Sequence, residues 1–198
     1  MPAVLRFGVL ALGLLALAPA RVSAEWQIKP FLGVTGGGTS TFYLTDFTGN
    51  PKSVVFGANG TWLGEVIGFE GDFGYSPAFF HEGSPVPLIT GSGVATVTGN
   101  AVIAVPRHLT TYTLRLYFVG GAGIMRVNIE SANGVLDSSE TLAAMDLGGG
   151  ATGFLTKRIG LNWDVRHFRS LHAIDPRDSP EPAPFSFWRA TMAVAIRY

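Results

Sequence analysis

From Trp26 to the last residue the chain alternates apolar with polar or small side chains at a period of two, the mark of β-strands whose faces meet different surroundings. Clusters of Gly, Pro, Asn and Ser divide this pattern into eight predicted strands, Trp26–Thr35, Val54–Leu63, Val66–Ser76, Val94–Val105, Tyr112–Val127, Ala144–Leu155, Ile159–Phe168 and Phe187–Tyr198. The contrast is sharpest in the third, where Ile67, Phe69, Phe73 and Tyr75 alternate with Glu70 and Asp72. In the last, Trp188, Ala190, Met192, Val194, Ile196 and Tyr198 alternate with Arg189, Thr191, Ala193, Ala195 and Arg197. The sixth is rich in glycine, yet it still sets Met145, Leu147 and Leu155 against Asp146 and Thr152.

The connections between these strands are predicted to alternate in length. Gly64–Glu65, Arg107–Thr111 and Thr156–Arg158 are short, while Gly36–Ser53, Pro77–Gly93, Asn128–Ala143 and Ser170–Ser186 are long. Such alternation predicts an all-β fold, an eight-stranded antiparallel up-and-down barrel. Four long loops then stand at one rim, with the tight turns and both termini at the other.

Composition decides which face points outward. Only 14% of the 198 residues are charged, against 47% hydrophobic, and the mean hydropathy is +0.31. The mixed rows hold Lys29, Arg115, Arg166, Arg189 and Arg197 with Glu70, Asp72, Asp146 and Asp164. That is too few charges to cover a soluble barrel, but enough to neutralise one another inside one. The interior of an eight-stranded barrel is about wide enough for side chains alone. The pattern therefore predicts a transmembrane barrel with its apolar row facing lipid and its lumen plugged by these polar residues together with Phe31, Tyr117 and Phe154. Trp26, Trp62, Trp163 and Trp188, near strand ends or on the outward row, are expected as interfacial aromatics.

The first 24 residues read as a cleaved secretory signal, leaving residues 25–198 as the barrel. Arg6 precedes an apolar run from Phe7 to Ala18, too short to cross a bilayer as a helix, and Val22-Ser23-Ala24 supplies the small residues of a cleavage site. With no cysteine, neither a disulfide nor a lipidated cysteine is available. Lys and Arg balance Asp and Glu at 14 each, which gives no electrostatic case for nucleic acid.

Three segments, GEVIGFEGDFGYSPAFF (Gly64–Phe80), LNWDVRHFRS (Leu161–Ser170) and FWRATMAVAIRY (Phe187–Tyr198), carry a resemblance to the small outer-membrane barrels of the OmpA-like and OmpX-like kind. The resemblance spans the whole of residues 25–198. It implies export through the periplasm to the bacterial outer membrane, contact with outer-membrane lipid and lipopolysaccharide, and Tyr198 as the terminal signal read by the barrel-assembly machinery. It leaves activity open. The expected role is structural or surface-interacting at the cell surface, carried by the long loops toward a ligand that the sequence does not name. The alternatives are a porin-like small-solute channel and a lipid A-modifying enzyme.

Candidate chemistry is sparse. Gly148, Gly150 and Gly153 match a dinucleotide-binding spacing but lead into a turn and a strand rather than a helix, so they read as room for bulky neighbours. His167, Ser170 and His172 cluster near Asp164 and Asp175, but residues three apart on a strand face opposite sides. His81 and His108 are isolated. No catalytic residue, metal or cofactor is therefore expected.

Overall fold

The computed structural model describes residues 24–39, 53–77, 79, 89–106, 109–110, 114–131, 138–173 and 184–198. The leader through Ser23, His81, His108 and the acids of the last connection lie outside these residues. Eight strands follow in chain order: β1 (Glu25–Thr39), β2 (Ser53–Leu63), β3 (Ile67–Pro77), β4 (Ile89–Ala104), β5 (Leu114–Ser131), β6 (Ser138–Phe154), β7 (Ile159–Ala173) and β8 (Pro184–Arg197). Each pairs antiparallel with its sequence neighbours, and β1 pairs with β8 to close the barrel. Both ends of the sheet therefore emerge at the rim that carries the β2–β3, β4–β5 and β6–β7 connections.

Following directly opposed residues once around the wall gives the shear. The path runs from Thr141 through Arg126, Ala95, Tyr75, Phe56, Leu32, Met192 and Trp163 to Ala151, ten residues further along β6. That stagger tilts the strands by about 40°. It sets Trp26, Trp62 and Trp163 toward the turn rim, and Tyr75 and Trp188 at a second level toward the opposite rim. About five to nine residues of strand separate the two levels, roughly 13–22 Å at this tilt, within the height of about 25 Å of an apolar transmembrane band.

The two rows of each strand face opposite sides of the wall. Ile28, Leu32, Phe69, Phe73, Phe118, Leu147, Val165 and Met192 stand exposed on the outer wall, while Lys29, Glu70, Asp72, Arg115, Asp146, Asp164, Arg166 and Arg189 are buried inside. A closed antiparallel wall pairs backbone donors and acceptors between strands, which a surrounding without water demands.

Two expectations fail. Strands run beyond their predicted ends: β5 continues to Ser131 and β6 starts at Ser138, with pairing out to Ile129 and Ser138. The predicted long connection 128–143 thus shrinks to 132–137, no longer than the 105–113 connection at the turn rim, and the strict alternation of lengths is lost. The polar residues Asn128, Ser139, Glu140 and Thr141 suggested a loop, yet they extend the hairpin above the apolar band, with Asn128, Ser139 and Thr141 on an outer face where polarity costs little and Glu140 on the inward row.

Nor is the lumen a uniformly polar plug. Phe79, Val94, Met125, Val127, Ala144, Phe168, Phe185 and Phe187 form a buried apolar cluster toward the loop rim. Leu63, Val102, Ala104, Tyr117 and Val119 form another toward the turn rim. The charges lie in a belt between the two clusters and in a smaller group at the turn rim.

Candidate functional site: the barrel interior

The belt centres on Arg166, which is wholly buried. Its Nε donates to Asp164 Oδ1 at 2.6 Å and its Nη2 to Asp164 Oδ2 at 3.0 Å. Across the barrel its Nη2 lies 2.7 Å from Glu70 Oε1 on β3, and its Nη1 lies 3.5 Å from Asp146 Oδ2 and 3.9 Å from Asp72 Oδ2. One guanidinium therefore touches acids of three strands. In the amide orientation its neighbours require, Asn100 donates to Asp146 Oδ1 and accepts from Arg166 Nη1, each at 2.9 Å.

Around this centre the remaining polar groups fall in line by strand parity. Lys29 Nζ donates to Glu70 Oε2 at 3.1 Å and Thr61 Oγ1 to the same oxygen at 2.9 Å. Tyr117 donates its hydroxyl proton to Asp164 Oδ2 at 2.6 Å and accepts from Asn162 Nδ2 at 2.9 Å. Arg189 Nη2 donates to Asp72 Oδ2 at 2.8 Å, while its guanidinium carbon lies 4.8 Å from the ring centre of Phe31 and 4.6 Å from that of Phe168. Its Nε and Nη1 have no hydrogen-bond partner among the described residues, and with its guanidinium over these rings Arg189 joins the charged belt to the aromatic cluster.

Glycine makes the space for this. A Cβ at Gly148 would press on the Val165 carbonyl and the backbone and side chain of Arg166, and one at Gly150 on the Trp163 carbonyl and the Tyr117 hydroxyl. Two of the three glycines of the nucleotide-like spacing are thus packing requirements, while a Cβ at Gly153 would meet only Leu114 Cδ1 at 3.7 Å, an ordinary contact.

At the turn rim a second group forms around Glu25. Its carboxylate lies 3.1 Å from Arg197 Nη1 and 3.5 Å from Arg115 Nη1, and it accepts from Gln27 Nε2 at 2.7 Å. Arg115 Nη2 also donates to the carbonyls of Gly64, at 2.8 Å, and Glu65, at 2.5 Å, and Arg197 Nε donates to that of Lys157 at 2.9 Å. The pair so pins the β2–β3 and β6–β7 turns to the first strand. Sequence parity assigns Arg197 no acid nearby and sends it across the barrel. Glu25 overturns that, because β1 begins one residue before its predicted start and Glu25 shares the inward row with Gln27 and Lys29. The signal was present in that odd-numbered row.

Space inside is scant. A cavity of about 610 Å³, lined by Glu25, Thr110, Arg115, Phe154, Thr156 and Arg197 among others, opens at the turn rim. Beyond Arg115, among the described residues, a second cavity of about 10 Å³ lies between Gln27, Lys29, Thr61, Tyr117 and Thr152. That is room for one water at most.

The catalytic candidates do not converge. His167 lies on the outer wall, its ring 4.8 Å from that of Trp188, whereas Ser170 is buried inside and accepts from the Phe185 amide at 2.9 Å. The side chain of His172 and all of Asp175 fall outside what is described. Among the described residues no three His, Cys, Asp or Glu side chains group as metal ligands. On the outer wall Trp26, Trp62, Trp163 and Trp188 are all exposed, Trp26 directly opposite Trp62, and Trp62 is stacked on Phe69 with centroids 6.1 Å apart. Tyr198 is exposed, and its amide donates to the Trp26 carbonyl at 3.0 Å.

Comparison with known proteins agrees with this geometry. A family model described as the outer membrane protein beta-barrel domain matches residues 7–183. No curated protein sequence gives a significant match. Among solved structures, Neisserial surface protein A superposes with a TM-score of 0.64 at 10% identity, over 87% of this chain and 97% of that one. OprG from Pseudomonas aeruginosa gives 0.57 at 10% identity, over 89% and 97%. Ail from Yersinia pestis, crystallised with the heparin analogue sucrose octasulfate, gives 0.52 at 15% identity, over 87% and 99%. At these identities the likeness is one of fold.

Proposed function

The chain belongs to the outer membrane protein β-barrel domain family, and from that premise we propose that it is a non-conducting integral barrel of the bacterial outer membrane whose role is structural or surface-interacting. The observation that carries the reading is the filled lumen. Ion pairs join five bases to five acids among the described residues, apolar clusters lie on both sides of the belt, and the gap beyond Arg115 is about 10 Å³. Residues 1–24 direct export and are removed, Tyr198 serves the assembly machinery, and the rim opposite the termini faces the exterior.

The connections at that outer rim would then meet any partner. They carry Asp46, Glu82, Asp137, Asp175, Asp178 and Glu181 against Lys52 and Arg177. This acidic excess disfavours a sulfated polyanion of the kind bound by Ail and suits cationic or cation-bridged partners.

Cysteine labelling tests the orientation, since the chain has no cysteine of its own. A membrane-impermeant maleimide should label Asn133→Cys on intact cells and leave Thr156→Cys unlabelled until the cells are opened. The reverse pattern would refute the assignment of the rims.

A further inference from the structure

Two arginines break the rule that places charge inside the barrel. Arg126 on β5 and Arg169 on β7 are exposed on the outer wall, and no other charged residue with a described side chain faces outward from a strand. Arg126 lies opposite Thr141 and Arg169 opposite Met145, so the two flank β6 from either side. Their offset of four residues along β6 nearly vanishes once the barrel is set upright. The shear lowers Arg126 and raises Arg169 by about one residue each, bringing them to within about two residues of one level with Ala143 between them. At roughly 6 Å of circumference per tilted strand they stand about 12 Å apart.

The surroundings match a lipid in both halves. Arg126 donates its Nε to Asn128 Oδ1 at 3.3 Å and to Ser139 Oγ at 3.2 Å, which leaves its Nη groups without a partner among the described residues. Arg169 likewise has no acid partner there. The tilted ring pair of His167 and Trp188 lies beside Arg169 at the same interface. Below, toward the middle of the band, Ile124, Met145, Leu147 and Val165 are exposed and apolar. Phosphate above and acyl chains below would satisfy both parts, since guanidinium is the side chain best shaped for phosphate and leaving two of them bare at an apolar wall is costly. Two cations this far apart fit a headgroup carrying two phosphates better than one carrying a single phosphate.

We propose that Arg126 and Arg169, with Ala143 as the floor between them, form a binding site on the outer wall for the bisphosphorylated headgroup of lipopolysaccharide. The site rests on the orientation given above, which places this end of the wall in the outer leaflet. It fixes the rotation of the barrel relative to its lipid, because the opposite wall at that level offers no described cation.

The test uses barrel purified from outer membranes as wild type, as Arg126→Gln with Arg169→Gln, as Arg126→Lys with Arg169→Lys, and as Arg158→Gln at the other rim. After delipidation each is titrated with bisphosphoryl lipid A, monophosphoryl lipid A and phosphatidylglycerol, and folding is checked by the heat-dependent gel shift. The double Gln variant should lose about tenfold in affinity for bisphosphoryl lipid A, less for the monophosphoryl form, and under twofold for phosphatidylglycerol. The Lys variant should keep most of the affinity, and Arg158→Gln all of it. Equal affinity of wild type and double Gln variant, or a loss for phosphatidylglycerol as large as for lipid A, would overturn the site. The cysteine pattern reads the orientation without either arginine, so unchanged lipid A binding in a correctly oriented barrel refutes the site alone. A reversed pattern refutes the occupant together with the orientation.

Discussion

Arg166 and Arg189 stand directly opposite each other on β7 and β8, both inward and both buried. Like charges at opposed positions repel, and in a water-poor interior neither can be left unpaired. Acids from across the barrel resolve this: Glu70 and Asp72 on β3 reach the two guanidiniums, and Asp146 and Asp164 take up the rest of Arg166. The charges thus tie β3 to the far wall, and the tie spans the lumen it fills.

Asp72 is the member shared by both arginines, at 2.8 Å from Arg189 and 3.9 Å from Arg166. Asp72→Ala should destabilise the barrel by about 3–5 kcal/mol, because it strands buried positive charge. Asp72→Leu combined with Arg189→Met should cost clearly less than the sum of the two single changes. Urea unfolding of vesicle-embedded protein, followed by tryptophan fluorescence, reads the cycle. Strictly additive losses would mean that the two residues do not act on each other.

Gly150 and Gly71 separate the inner from the outer wall. A Cβ at Gly150 would lie 2.6 Å from the Tyr117 hydroxyl and closer still to the Trp163 carbonyl, whereas one at Gly71 meets nothing within 4 Å. Gly150→Ala should sharply reduce the fraction that refolds to the heat-shifted gel band, and Gly71→Ala should refold like wild type. Equal refolding of the two would argue against the tight packing around Tyr117.

Tyr198 projects from the last strand with its side chain exposed. As an assembly signal it should matter to the machinery rather than to the finished barrel. Tyr198→Asp is therefore expected to lower the amount in outer-membrane fractions several-fold while changing the urea midpoint of detergent-refolded protein little. Matching membrane yields for wild type and variant would remove the signal from the account.

Much of this architecture was legible in the chain because the two-residue period is unforgiving. A slip of one position would turn Glu70 and Asp72 to lipid and Phe69 and Phe73 to the lumen. Ends were less legible. Glu25 was hidden by a strand boundary set one residue late, and at the two ends of the expected Asn128–Ala143 loop residues 128–131 and 138–143 continue β5 and β6. Tertiary packing was least legible of all. Phe168 and Phe187 face each other across the β7–β8 hairpin with Phe185 beside them, but only barrel closure brings Phe79, from just beyond β3, to within 5.6 Å of Phe185 and 5.2 Å of Phe187.

The central claim, a lumen closed by the Arg166 belt and the Phe168 cluster, is tested most directly by planar-bilayer recording of purified monomer. Room for about one water beyond Arg115 predicts a flat baseline with at most brief, small openings. Large and steady conductance from wild-type monomer would contradict the closed lumen and establish a channel in its place.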